Sequence, residues 1–285
     1  MNNQLIIDSL THILPKEFSD LRKSFVQKDK TFESLFSDPK SKIASYGDLV
    51  ESMQKSAIYK SIVAGFGWND LGLAKLSNDY ILESANKSAG KILPLCSVNP
   101  LWGKKAISEI IRCYELGAKG IGELHPDTQG FLDGNNYSSL AEFMDLSVSL
   151  KMPVVIHCSE PVGHIYKGKG SIKLQVIVDL VSNYPNNIFI LSHFGGGLPF
   201  YSLMPEIKIA FRNVYFDSAA FPYLYHPNVF KVSLIAAGYK KILFASDFPI
   251  VRQNQALKKF LRVNLDDIEK KSILKSNADN IYSWP

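Results

Sequence analysis

Eight short runs of apolar, β-prone residues recur along the chain, with stretches of helix length between most of them, and this alternation constrains the fold more than any other feature. The runs cover 5–8, 61–66, 92–98, 120–125, 154–157, 188–193, 214–217 and 242–247. Most are continuously apolar rather than alternating, as parallel strands covered on both faces are. Segments 103–116, 138–151 and 171–184 place apolar residues at helical spacing, and 70–89 does so less regularly. Segment 199–211 stays open because Pro205 interrupts it. The fold class expected is therefore α/β, a single-domain (β/α)8 TIM barrel over residues 1–285; an open doubly wound sheet is the structural alternative. The first unit is longer than the rest: 15–45 has no clear period and reads as an elaborated loop, followed by a helix over 46–55. Two closing helices are expected at 254–261 and 265–276.

Composition limits the classes. The chain has 285 residues, 46% hydrophobic and 21% charged, enough to bury a large core. A net charge of +5, with basic residues scattered apart from Lys167, Lys169 and Lys173, gives no nucleic-acid stripe. Cys96, Cys113 and Cys158 form no CxxC pair and suggest neither a disulfide framework nor a cysteine zinc site. Residues 1–4 carry no basic leader, and no apolar run approaches the roughly 20 residues that span a bilayer. A soluble cytoplasmic protein without membrane or nucleic-acid partners is expected.

The ends of the runs carry the chemistry. His12 follows the first run, Glu123 and His125 close the fourth, and His157 and His193 end the fifth and sixth. Asp217 and Asp247 end the seventh and eighth. In a barrel such positions converge on one mouth. A lone histidine there is most often structural; so many His, Asp and Glu residues at one mouth form a site. Imidazole and carboxylate suit zinc and similar divalent ions.

Asp8-Ser9-Leu10-Thr11-His12 resembles the Asp-x-His-x-His opening of the amidohydrolase superfamily, and His157, His193 and Asp247 follow in the superfamily's order. Ser246-Asp247-Phe248-Pro249 is similar to the eighth-strand motif of the amidohydrolase-2, or aminocarboxymuconate-semialdehyde decarboxylase-like, branch. Leu10 replaces the first histidine of the usual pair and cannot bind a metal. Gly120-Ile121-Gly122-Glu123 is similar to the fourth-strand motif of TatD-type metal hydrolases, so Glu123, with His125 two residues on, is the expected replacement donor.

The resemblance implies a divalent metal, zinc first with manganese or iron as alternatives, held by His12, Glu123, His157 and Asp247. Such an ion lowers the pKa of its water toward ~7. Asp247 is the expected base and His193 the residue that contacts the substrate oxygen or acts as acid. His125, Glu160, His164, Lys167 and Tyr223 are the expected substrate contacts, the lysine and histidines suiting an anionic small molecule. Gly195-Gly196-Gly197 reads either as a plain turn or as a close backbone approach. The leading functional expectation is hydrolysis of a C–N or C–O bond in an amide, lactone or ester. The alternatives are a decarboxylase or hydratase of a carboxylated aromatic or dienoic acid, and a metal-free binding barrel suggested by Leu10. A nuclease like the TatD type is weakened by the absence of a basic stripe. A homo-oligomer is expected by resemblance alone.

Overall fold

The computed structural model describes residues 5–282 and 284. The absence of a leader, read from residues 1–4, lies outside them. Eight parallel strands form in order: β1 (Ile7–His12), β2 (Lys60–Ala64), β3 (Ile92–Pro94), β4 (Ile121–Leu124), β5 (Val154–Ile156), β6 (Phe189–Leu191), β7 (Val214–Asp217) and β8 (Ile242–Leu243). They pair as β1-β2-β3 and β4-β5-β6-β7-β8. Single bridges between Cys96 and Ile121 and between Thr11 and Phe248 join the two sheets at both seams. Backbone bonds from Ser9 N to Phe244 O (2.8 Å) and from Cys96 N to Gly120 O (2.9 Å) reinforce those seams. Neighbour order follows chain order throughout, as a (β/α)8 barrel requires.

Two apolar layers explain the continuous runs. Ile7, Leu10, Ile62, Leu93, Val155, Ile190 and Leu243 share a buried cluster with Ile281 and Tyr282 from the chain's end. The opposite faces, such as Val63, Ile121, Val154 and Phe189, pack in a larger cluster with helix residues such as Ile110, Phe143 and Ile177. Those residues belong to helices Lys104–Glu115, Ala141–Ser149 and Leu174–Asn183, close to the expected segments. The segment 70–89 forms a regular 17-residue helix, Leu71–Lys87, because the Asp70 side chain accepts the Leu73 N–H and fixes its start. Ser45 and Asp48 form a capping box that starts the helix Tyr46–Ser56.

Several boundaries differ from the sequence reading. Strand one was expected to stop at Asp8, but β1 runs to His12: Asp8 is satisfied across the seam, Ser9 N bonds the Phe244 carbonyl there, and the Thr11 hydroxyl donates to the Ile62 carbonyl of β2 at 2.8 Å. Asp8 accepts from the Ser246 N–H (2.8 Å), the Ser246 hydroxyl (2.6 Å) and Gln253 Nε2 (2.9 Å). Within 199–211 the helix starts only at Pro205, which suits a first helical position. Its predecessor is a turn in which His193 to Gly197 all have positive φ. At Gly196 a Cβ would lie 2.4 Å from the Ser159 carbonyl oxygen, so the glycine there serves close backbone approach. The last closing segment is helix Asp267–Lys271, a π turn Ser272–Ser276 and helix Asn277–Ile281 in succession.

The largest departure lies in the expected loop 15–45, which holds three short helices, Glu17–Asp20, Arg22–Lys28 and Lys30–Phe36. They are held by an aromatic core of their own: Phe18, Phe25, Phe32 and Phe36 pack with Phe66 and Trp68. Helices this short are unstable alone, so tertiary packing rather than local propensity makes them. Among the described residues no helix is long and apolar enough to cross a membrane.

Candidate metal centre and substrate cavity

The strand ends deliver their polar residues to one floor, with Glu123 in the middle. Its Oε1 lies 3.1 Å from His157 Nδ1 and 3.8 Å from His193 Nε2. Its Oε2 lies 3.5 Å from His125 Nε2 and 3.6 Å from His12 Nε2. Asp247 Oδ1 is 3.3 Å from His12 Nε2. All six side chains are buried. The chain turns sharply at Asp247, where φ is +66°, and the Asp247 N–H binds the Leu10 carbonyl at 3.1 Å. Leu10 itself is wholly buried in the barrel's inner cluster and contributes no donor atom.

The outer faces of the imidazoles fix which nitrogen points inward. His12 Nδ1 donates to the Ala64 carbonyl (3.0 Å), and His193 Nδ1 to the Ala219 carbonyl (3.0 Å). His157 Nε2 donates to the Gly168 carbonyl (3.1 Å) and touches Ser159 Oγ (3.2 Å). A carbonyl only accepts, so in each neutral ring the inward nitrogen carries a lone pair. His157 Nδ1 and His193 Nε2 thus face each other at 3.2 Å. Two lone pairs at that distance repel unless a proton or a cation lies between or beside them. His12 Nε2 and His125 Nε2 are buried without any hydrogen-bond partner. Buried polar atoms without partners are costly, and a shared cation would satisfy them. Glu123, His125 and His157 alone offer three ligand atoms within 4.8 Å of one another. The donor set therefore fits a divalent metal.

Electrostatics of the protein without metal agree. Burial would raise the Glu123 carboxyl, but His125 and His157 beside it hold it well below the usual carboxylate range. Burial lowers His125 to about 4, and a charged His157 adds to that, so His125 is neutral. His157 is raised despite its burial because Glu123 stabilises its charged form. Beneath His193, burial raises Asp217 to about 7, opposed by His193 and the Ala219 N–H. Asp217 Oδ1 accepts from the backbone N–H of His193 (3.1 Å) and of Ala219 (2.9 Å), which sets the turn carrying His193.

Above this floor opens a cavity of about 430 Å³. Glu123, His125, His157, His193 and Asp247 line its base, and Leu35, Phe36, Phe66, Leu224 and Ile250 supply apolar wall. Phe66 stacks on His12, ring centroids 4.2 Å apart at 17°. Of the expected substrate contacts, His125, His164, Lys167 and Tyr223 line the cavity. Glu160 does not; its Oε2 accepts the Tyr166 hydroxyl at 2.8 Å, and Tyr166 reaches the cavity instead. Lys169 turns away, donating to the Val162 and His164 carbonyls at 2.7 and 2.9 Å. Sequence reasoning missed Leu35, Phe36 and Phe66, although the seven-residue spacing of Phe18, Phe25 and Phe32 was a signal for an ordered insert above the mouth.

The amidohydrolase family's sequence model matches residues 7–284. No curated protein sequence matches the chain. Among solved structures it is similar to the 5-carboxyvanillate decarboxylase of Sphingomonas paucimobilis, with 13% identity, a TM-score of 0.78 and coverage of 99% of this chain and 100% of that one. It is similar to the 5-carboxyvanillate decarboxylase of Novosphingobium aromaticivorans, solved with manganese and a nitrobenzoic acid, at 19% identity, TM-score 0.75 and coverage of 97% and 95%. A dihydroxybenzoic acid decarboxylase of Polaromonas, solved with manganese and 2-nitroresorcinol, matches at 18% identity, TM-score 0.71 and coverage of 98% and 96%. At such identities these likenesses establish the shared barrel fold. With a family match over nearly its whole length, the chain belongs to the amidohydrolase family of enzymes, in its amidohydrolase-2 branch.

Proposed function

We propose that the protein is a single-domain, metal-dependent decarboxylase of a small aromatic hydroxy acid. The observation that carries the proposal is the cavity: a carboxylate-and-imidazole floor under an apolar wall, with Lys167 and His164 beside it, suits a flat ring bearing an anion. The solved structures it resembles include decarboxylases of such acids, several of them with manganese. Hydrolysis of an amide, lactone or ester, the leading expectation from sequence, rests on superfamily membership alone, and no feature of the cavity favours it.

His12, Glu123, His157 and Asp247 would hold the metal, with His125 as a further donor. The set mixes oxygen and imidazole nitrogen, which suits manganese as well as zinc. The bound ion supplies Lewis-acid neutralisation of charge on the substrate's oxygens. The overall change replaces the carboxylate by hydrogen: a proton joins the ring carbon, the bond to the carboxylate breaks, its electron pair returns to the ring, and CO2 leaves. Asp247, which lines the base of the cavity, would carry that proton. His193 Nε2, the lone-pair nitrogen of the neutral ring, faces the same space and would accept a hydrogen bond from a substrate hydroxyl, with Asp217 and the Ala219 carbonyl fixing its direction. Phe36, Phe66 and Ile250 exclude water and hold the ring's faces, while Lys167 and Tyr223 meet polar substituents at the mouth. Free, buried Cys96, Cys113 and Cys158 accord with a reducing, cytoplasmic setting.

The test is CO2 release by the manganese- or zinc-loaded protein from hydroxybenzoates and carboxylated methoxyphenols, run beside ester, lactone and amide substrates. Release of CO2, abolished in Asp247→Asn, is expected. Turnover of the esters or lactones alone would replace this reading with the hydrolytic one.

A further inference from the structure

The segment after β5 is tied back to the floor through one histidine. Residues 159–171 leave the barrel, expose Val162 and Ile165 at 75% and 87%, and return over the cavity. On the return, the Gly168 carbonyl accepts the His157 Nε2–H at 3.1 Å. Ser159 Oγ lies 3.2 Å from the same nitrogen and accepts the Gly170 N–H at 2.8 Å, closing the strap's two ends on each other. Gly168 has φ +83°, a conformation that favours glycine, and a Cβ there would press on Leu35 Cδ2 at 2.7 Å, so alanine strains the backbone that carries this carbonyl.

We propose that Ser159 and the Gly168 carbonyl are positioning groups for His157, and that closure of the 159–171 strap and metal binding are coupled through its imidazole. The inference rests on the metal site proposed above. A metal on His157 Nδ1 requires the ring form whose N–H is at Nε2. The closed strap offers that N–H an acceptor, and the opposite ring form would set its Nε2 lone pair against the carbonyl oxygen. The closed strap therefore selects the ligating form. By reciprocity, a bound metal favours the closed strap by the same factor. Outer groups of this kind contribute about 10- to 100-fold to metal affinity.

The experiment uses the full chain stripped with chelator and titrated with Zn2+ or Mn2+ against a chromophoric competitor. Amide hydrogen exchange over 160–170 is followed with and without metal. In the wild type, saturating metal is expected to slow exchange in the strap on the order of 10- to 100-fold. Ser159→Ala and Gly168→Ala are each expected to weaken metal binding by a comparable factor, and Ser159→Thr to restore it. Near-UV circular dichroism of the metal-free variants checks that the barrel is intact. Wild-type affinity in both alanine variants, or strap exchange indifferent to metal, would overturn the coupling and leave the decarboxylase reading standing. Coupling with no CO2 release from any acid would sustain the inference and defeat that reading. A wild type that binds neither ion defeats both.

Discussion

Replacing Phe32 by alanine probes whether the 17–36 insert is a folded wall of the cavity. Phe32 is fully buried, with ring centroids 4.9 Å from Phe36, 5.8 Å from Phe18 and Phe25, and 5.9 Å from Trp68. Its side chain hides roughly 200 Å² of apolar surface; at about 25 cal/mol per Å² this is about 5 kcal/mol as an upper bound. Large-to-small changes at such sites cost about 3–5 kcal/mol. The insert has its own aromatic core, so the loss is expected to fall first on the insert. Hydrogen exchange across 17–36 should accelerate by about two to four orders of magnitude, the loss expressed as an equilibrium constant. Phe36 and Leu35 then lose their support, and KM for an aromatic acid rises while metal affinity stays within about threefold, because no metal donor lies in the insert. Unchanged exchange over 17–36, or a loss of metal binding as large as the loss of substrate binding, would refute this division of labour.

Two further outcomes follow from charge. Asp217 is raised from about 3.8 to about 7, so its stabilising contribution is complete below about pH 4 and is lost as pH rises through 7. Urea unfolding of the metal-free protein should therefore show Asp217→Asn gaining on the wild type between pH 4 and 8, by up to about 4 kcal/mol, and parallel curves would contradict the buried-carboxyl account. Lys167 lines the mouth and lies 3.4 Å from Ser37 Oγ. Exposed charges contribute little, so Lys167→Met should raise KM for an anionic acid about two- to fivefold in steady-state kinetics and leave kcat nearly unchanged; a kcat collapse would place it in the chemistry instead.

The barrel was legible because its physics writes itself into composition. Strands buried on both faces must be apolar throughout, as Val154–Ile156 and Phe189–Leu191 are, and helices against them must repeat at 3.6 residues. His12, Glu123, His157, His193 and Asp247 were legible together rather than singly: one polar residue ending such a run is most often structural, but so many at one mouth point to a site. What escaped depended on distant partners. Nothing local in Asp8 to His12 says strand, since Asp8 is satisfied by Ser246 and Gln253, more than 230 positions away, and Thr11 and His12 by the carbonyls of Ile62 and Ala64 in the next strand. The insert's helices exist through Trp68 and Phe66, which lie beyond them in the chain. Glu160 is one of several polar residues after the fifth run, and only the fold shows that Tyr166 claims it. The Gly168 carbonyl is a backbone group, and backbone acceptors leave no mark on the residue type.

The most direct measurement is metal stoichiometry, by elemental analysis of protein purified without chelator, for the wild type and for Glu123→Gln, with CO2 release followed on the same samples. Among the described residues, Glu123 is the one carboxylate within 4 Å of four imidazole nitrogens. About one equivalent of manganese or zinc in the wild type, lost together with decarboxylation in Glu123→Gln, is the result the account predicts. A wild type that takes up neither ion even in excess, or a Glu123→Gln protein that keeps full metal and full activity, would contradict it.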